Sequence, residues 1–287
     1  MPPKPFVRTL RAQWLGQELR RLREARDMTL HMVSHHLRRD MSALSRYERG
    51  EWPIGRADVL ALLDLYGFHE ATERERMLRL AEEVWRTDHW NENYGDVVHA
   101  SFIDFPWLES RAQRVCSYHA MLIPGLFQLR DYAEVLMRGA EGGTLSEETI
   151  QGGMRLRLER QRLLHGPDGP QFELMIEESA LRRPIVGAEL HRKQLHHVVA
   201  CAALPRVTMR VLPNAVGMHA GLEGRFWLFQ MPAPYPAVTY LEYIGGHLYL
   251  ESPKSDRYVR AYEELCRVAL DPQRSAAFVT ALAEEST

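Results

Sequence analysis

The chain of 287 residues is long enough for two domains, and its 45% hydrophobic and 26% charged residues are typical of an ordinary soluble protein. It has neither the run of roughly 18 to 20 apolar residues that a membrane span needs nor the apolar centre of an N-terminal signal peptide, so we expect a cytoplasmic protein. The net charge of −2 is uneven, because residues 1–56 hold twelve Lys and Arg against six Asp and Glu. Only this part carries the positive field that attracts a phosphate backbone.

The first third of the chain is predicted to be helical. Residues 1–9 contain three prolines and are predicted to be a flexible arm, followed by an all-helical domain over residues 10–87. Its five helices are expected at Leu10 to Arg26, residues 30–37, Met41 to Arg49, residues 57–67 and residues 72–87. Thr29 and Asp40 are placed as N-caps of the second and third helices, and Gly50 follows the last turn of the third.

The second and third helices have the pattern of a helix-turn-helix that reads DNA. A helix fits the major groove when one face is anchored and the other offers hydrogen-bond donors or small apolar groups. Leu44 and Tyr47 are expected to anchor the third helix against Val33 and Leu37 of the second. The outward residues, which we predict to contact bases, are then Met41, Ser42, Ser45 and Arg46.

These side chains have the chemistry of base recognition. Arg46 can donate two hydrogen bonds to a guanine edge, Ser42 can bond to several bases, and Met41 can contact a thymine methyl. Contacts to phosphates, which fix the register, are expected from Thr29, Arg38, Arg39 and Arg49. We therefore predict a homodimer on a double-stranded DNA operator with half-sites about one helical turn apart. The alternative for this segment is a solvated, arginine-rich helix face.

The segments LRRLREARDMTL and LSRYERG are similar to the Cro and lambda-repressor-like helix-turn-helix of the xenobiotic-response-element (XRE) class of bacterial regulators. The resemblance implies an ion pair that ties the first helix to the end of the recognition helix, here Arg23 with Glu48. This pair is assigned a structural role.

The chain departs from that class at several positions. Glutamine is usual where this chain has Leu30, and glycine is usual at the corner where it has Arg38. Glutamines are common where it has Met41 and Ser42. The operators of better-known members therefore do not carry over.

Beyond residue 87 the pattern is mixed. Residues 88–106 are aromatic and polar, and we expect a linker that packs against another part of the protein. Residues 107–287 are predicted to form a larger α+β domain, since helices and strands follow without strict alternation. Strands are expected at residues 171–177, 207–213, 224–231, 237–244 and 247–251. Helices are expected at residues 130–138, 147–165, 188–202, 253–270 and 272–284.

This larger domain resembles the C-terminal domain, of unassigned function, in a group of actinobacterial regulators. The motifs that carry the resemblance include WNENYGDV, YHAMLIPGLFQLRDYAEVLMR, RLERQRLL, VLPNAVGMHAGLEGRF and YLEYIGGHLYLESP. Some members regulate development, and others are described as antitoxin-like and are encoded beside a small protein that binds them. The resemblance implies a domain that binds an effector or such a neighbour-encoded protein. An antitoxin-like interaction protein is thus an alternative to the transcription regulator.

Charged residues of this domain are candidates for an effector or partner pocket. Carboxylates lie on or beside predicted strands and His219 lies in a glycine-bearing loop, so a carboxylate and a histidine can share a cleft. The candidate pocket consists of Arg157, Arg160, Glu178, His219 and Glu242. An enzyme domain is a further alternative, but no nucleophile elbow, phosphate loop or HExxH motif is present, so we assign no catalytic residue.

Neither a cofactor nor a metal is expected. His31 and His35 are four residues apart on one predicted helix, but no carboxylate or cysteine at suitable spacing completes a metal site. The three cysteines are far apart without CxxC spacing, and we predict reduced thiols in the core. Residues 124–128, PGLFQ, suit a packed turn.

Overall fold

The computed structural model describes residue 6 and residues 8–85, 102, 104–166, 169–233, 235–243 and 246–285. Its internal contacts divide the chain into two compact units, Met1–Asp104 and Phe105–Thr287. Most of the predicted arm and most of the predicted linker lie outside the described residues.

The described part of the N-terminal unit contains five helices, which confirms the predicted all-helical domain. They are α1 (Leu10–Glu24), α2 (Leu30–Leu37), α3 (Met41–Glu48), α4 (Arg56–Leu65) and α5 (Ala71–Trp85). The Thr29 side chain accepts a hydrogen bond from the Met32 amide, as expected of an N-cap. Asp40 occupies the N-cap position of α3, although its side chain makes no capping hydrogen bond.

Close packing of α1 against α3 holds this unit together. Leu15 and Leu19 of α1 are buried, together with Leu44 of α3. At Gly16 a Cβ atom would lie only 2.7 Å from the Glu48 carbonyl oxygen, so the absence of a side chain is required there. Gly50 ends α3 with φ of +65°, a left-handed conformation that glycine adopts more readily than other residues do.

The described part of the C-terminal unit contains one six-stranded mixed sheet, in the order β3-β2-β1-β4-β5-β6. The strands are β1 (Arg114–His119), β2 (Gln171–Glu177), β3 (Val207–Leu212), β4 (Phe226–Gln230), β5 (Val238–Tyr243) and β6 (Gly246–Leu250). Strand β1 runs parallel to β2, which runs parallel to β3, while β1, β4, β5 and β6 are successively antiparallel. The mixed sheet confirms the α+β prediction.

Seven helices are described in or at the start of this unit. They are α6 (Asp104–Arg111), α7 (Arg130–Gly139), α8 (Glu147–Gln161), α9 (Glu178–Arg182), α10 (Ala188–Ala202), α11 (Asp256–Val268) and α12 (Pro272–Glu285). None of the described helices is long and apolar enough to cross a membrane. The last three residues of the predicted linker, 104–106, belong to α6.

The predicted start of one helix is wrong. Helix α11 begins at Asp256 with Ser255 as N-cap rather than at Pro253. The hydroxyl of Ser252 bonds to the carboxylate of Asp256 instead of capping a backbone amide. Asp271 does cap α12, since its carboxylate accepts from the Arg274 amide at 2.8 Å.

The two faces of the sheet are covered differently. On one face Tyr118 and Phe226 pack against Tyr262 and Leu265 of α11. On the other face Phe105 makes edge-to-face contacts with Trp227, Phe229 and Tyr240.

Candidate nucleic-acid interface

Helix α3 is anchored by one face. Leu44 and Val33 are buried, while Tyr47 and Leu37 are half-buried. A helix of eight residues is only marginally stable by itself, so both its stability and its orientation depend on this packing.

The opposite face of α3 carries the predicted base-contact residues. Met41 is 51% exposed and Ser42 is also exposed, whereas Ser45 and Arg46 are half-buried. Their spacing of one, four and five residues from Met41 places all four on one side of the helix. The structure therefore brings the predicted set together on one surface.

Trp52 extends this surface beyond the predicted residues. The guanidinium carbon of Arg46 lies 5.0 Å from the centre of the Trp52 ring. The signal that could have identified Trp52 is a large aromatic residue next to the recognition helix, between Gly50 and Pro53.

Arg49 is held by two neighbours. Its Nη1 donates to the Ser45 hydroxyl at 2.5 Å, and its Nη2 lies 2.8 Å from the Glu51 carboxylate. Because the Ser45 oxygen accepts from Arg49, the Ser45 proton stays available for donation to a base.

The corner between α2 and α3 presents two arginines. Arg38 caps α2 in the left-handed conformation, with φ of 51° and ψ of 42°, at the position where the related class usually has glycine. Nη2 of Arg39 donates to both carboxylate oxygens of Asp58 at 3.1 Å, and this hydrogen bonding raises the pKa of Arg39 above its ordinary value. Both arginines remain exposed, as a phosphate contact requires.

Arg23 and Glu48 form a two-bond ion pair between α1 and the end of α3. The Nε–Oε1 and Nη2–Oε2 distances are 2.6 and 2.9 Å, and Nη1 also donates to the Met28 carbonyl at 2.7 Å. Hydrogen bonding to Glu48 raises the pKa of Arg23. Since both side chains are nearly buried, the pair fixes α3 relative to α1.

The candidate pocket of the C-terminal unit forms only in part: Arg157, Arg160 and Glu242 interact electrostatically, whereas Glu178 pairs with other residues. Arg160 forms a two-bond ion pair with the fully buried Glu109, at 2.7 and 2.9 Å. Arg157 donates to Gln128 of the 124–128 turn, and burial lowers its pKa to about 10. Both arginines therefore stabilise packing around α8, and the packed turn expected at residues 124–128 is present.

Of the other three members of the set, Glu178 lies apart. Glu178 pairs with Arg182 at 2.6 Å and accepts from the Asn214 amide at 3.0 Å. His219 and Glu242, in contrast, line the same groove of ≈ 620 Å³. From the sequence, only Arg157 and Arg160 could be predicted to lie close together, because they share a helix. The neighbours of the other three residues come from distant parts of the chain.

This groove lies between the loop at residues 218–225 and α11. Nε2 of His219 is 3.4 Å from the carboxylate of Glu177, and Glu242 pairs with Arg225 at 2.8 Å. Two apolar side chains at its edge are open to solvent, with Met218 90% and Leu222 64% exposed. We call this feature the loop–α11 groove.

Within the described residues, no group of three or more His, Cys, Asp or Glu is placed to hold a metal ion. Cys116 and Cys201 are buried free thiols, and Cys266 is a half-buried one. Burial raises the pKa of Cys116 to about 12 and that of Cys201 to about 11, so these thiols are poor nucleophiles.

Two family models match the chain. Residues 14–77 match a helix-turn-helix domain (HTH_31), and this range includes every predicted DNA-contact residue. Residues 102–281 match a domain of unknown function (DUF5753). No curated protein and no solved structure matches the chain. Because the second match covers more than half of the 287 residues, the chain belongs to the DUF5753 family.

Proposed function

We propose that the protein is a sequence-specific transcription regulator that binds a double-stranded DNA operator through α3. The observation that carries this proposal is the outward face of α3, with Met41, Ser42, Ser45 and Arg46 on one surface of a helix-turn-helix domain. The positive charge of residues 1–56 supports it, since a phosphate backbone is attracted to that part of the chain.

The ion pairs support different roles for the arginines of this surface. Arg46 has no hydrogen bond or ion pair with the described residues, so all its N–H donors are available to a guanine edge. Arg39 and Arg49 are each held by a carboxylate, Asp58 and Glu51 respectively. We infer that these two contact phosphates, together with Arg38 and Thr29.

We further infer that the protein belongs to the XRE class and acts as a homodimer. A single eight-residue recognition helix contacts only a few base pairs, and a second copy doubles the length of sequence that is read. An operator with two related half-sites about one helical turn apart is the expected consequence.

For the C-terminal unit we propose a regulatory rather than a catalytic role. The loop–α11 groove is the surface we assign to a partner or effector, because exposed apolar side chains such as Met218 and Leu222 at the edge of a groove are typical of binding sites. A small neighbour-encoded protein is the partner that we favour. This surface also suits the second candidate function, an antitoxin-like protein that sequesters its neighbour.

Selection of bound duplexes from a random DNA pool tests the main proposal. The full chain is expected to enrich a sequence with two half-sites, and a variant with Arg46→Ala is expected to lose that enrichment at the same protein concentration. Arg20→Ala is a matched control, since Arg20 is an exposed arginine of α1 that pairs with Glu24 outside this surface. Recovery of unselected sequence from the wild-type chain would contradict the proposal.

A further inference from the structure

We propose that Trp52 is a positioning residue that holds Arg46 in the conformation needed to read a base. This inference rests on the proposed function and adds a residue that lies outside the recognition helix. It starts from the stacking of the Arg46 guanidinium on the Trp52 ring, at 5.0 Å from guanidinium carbon to ring centre.

The environment of Arg46 differs from that of its neighbours. Arg39 and Arg49 are directed by carboxylates, which compete with phosphates for the same donors. Arg46 forms no such ion pair and stacks on an aromatic face, with the Glu51 carboxylate acting on it only at longer range. A ring holds the guanidinium by its face and leaves the N–H groups at its edge free for in-plane hydrogen bonds.

The backbone fixes Trp52 relative to Arg46. The Glu51 amide donates to the Arg46 carbonyl at 2.9 Å, and the Gly50 amide donates to the Tyr47 carbonyl at 3.0 Å. Two residues after Trp52, the buried Ile54 anchors the chain in the core. The backbone is therefore held on both sides of Trp52, which places the ring beside Arg46 before DNA is bound.

Packing does not account for Trp52. Its side chain is 49% exposed, which is unusual for a tryptophan because exposed aromatic surface is unfavourable. About half of its surface is buried, so replacing it removes less buried area than replacing a core tryptophan would, and the variant is expected to stay folded.

Because of the stacking, the Arg46 side chain is ordered when the chain folds and not when DNA binds. An unrestrained arginine loses side-chain entropy when it is fixed on a base, and part of this loss is avoided if the ring already orders it. A cation–π contact at an exposed site corresponds to about a two- to fivefold effect on affinity. Loss of Trp52 should weaken operator binding by about that factor and leave binding to random DNA unchanged.

A double-mutant cycle tests this inference. The full chain and its Trp52→Ala, Trp52→Phe, Arg46→Ala and double variants are titrated by fluorescence anisotropy against the selected operator and a random duplex of equal length. Leu60→Ala is the matched control, because Leu60 is an exposed apolar residue of α4 outside the predicted contacts. Thermal melting followed by circular dichroism verifies that each variant is folded.

We expect Trp52→Ala to weaken operator binding about two- to fivefold, with Trp52→Phe retaining part of the effect. In the Arg46→Ala background the same change should have no further effect. An equal loss with and without Arg46, or an equal loss on operator and random DNA, would overturn the positioning role while leaving the proposed function intact. Failure of the wild-type chain to bind any duplex would overturn both.

Discussion

Replacing Asp58 by asparagine should strengthen binding to every DNA sequence. Nη2 of Arg39 donates to both Asp58 oxygens at 3.1 Å, while the Arg39 side chain is 52% exposed. The carboxylate competes with a phosphate for this guanidinium and also repels the DNA backbone. Asparagine at this position removes the negative charge but keeps a side chain of the same shape, so Arg39 gains at most one phosphate contact.

The size of the effect follows from counterion release. One additional phosphate contact steepens the dependence of log K on log salt by about 0.9. Affinity should then fall by an extra factor of about 3.5 between 50 and 200 mM salt. Because a phosphate contact carries no sequence information, the gain should be equal for the operator and for random DNA.

Anisotropy titrations at four salt concentrations measure both quantities. Asp64→Asn is the matched control, since Asp64 forms the same type of ion pair with Arg74 at 2.7 Å and neither residue belongs to the predicted contacts. An unchanged salt dependence in Asp58→Asn would refute the competition of Asp58 with a phosphate for Arg39. A gain confined to the operator would point instead to a role for Arg39 in reading sequence.

Three further predictions concern stability. Gly16→Ala should lower the free energy of unfolding of the N-terminal unit by about 1 to 3 kcal/mol in a urea titration, because the new Cβ would lie 2.7 Å from the Glu48 carbonyl oxygen; an unchanged midpoint would contradict the close contact of α1 and α3. Arg38→Gly should be about 1 kcal/mol more stable than Arg38→Ala, because both lose the charge and only alanine keeps a side chain in the left-handed conformation; equal stabilities would exclude strain at this corner. Burial lowers the pKa of His119 to about 3, so the unfolded chain takes up a proton near pH 6.5 that the folded chain does not. This proton uptake should lower the free energy of unfolding by about 1.5 kcal/mol between pH 6.5 and 5, and the free energy of unfolding of His119→Gln should fall by less over that interval. Parallel pH profiles of stability for the two chains would contradict the burial of a neutral His119.

The elements with a regular apolar period were predictable from the sequence. The outward face of α3 is of this kind, because Leu44 and Tyr47 set the anchored side of the helix and leave Met41 and Ser42 outside. Strands β2 to β6 were predicted for a similar reason, since each is rich in apolar residues.

Strand β1 was not predicted, because Arg114, Ser117 and His119 interrupt its short run of apolar residues. Ser117 and His119 are 6% and 3% exposed, although residues of these types usually indicate a surface or loop position. The strand lies between β2 and β4, and His119 packs against Trp227 on one face of the sheet.

The candidate pocket was predictable only in part, for another reason. The partner of Arg160 is Glu109, 51 residues earlier in the chain, and the partner of Arg157 is Gln128, 29 residues earlier. Sequence alone shows that these arginines share a helix and not which acceptors the fold places beside them. Trp52 was missed because its contact with Arg46 depends on the path of the loop after α3, which the helical period of the sequence does not give.

The measurement that tests the central claim most directly is the specificity ratio of Arg46→Ala. Dissociation constants for the selected operator and for random DNA are compared with those of the wild-type chain at one fixed salt concentration. Loss of a bidentate base contact should weaken operator binding by about 1 to 3 kcal/mol and leave random DNA nearly unaffected. An equal loss on both duplexes would contradict the assignment of α3 as the helix that reads the operator.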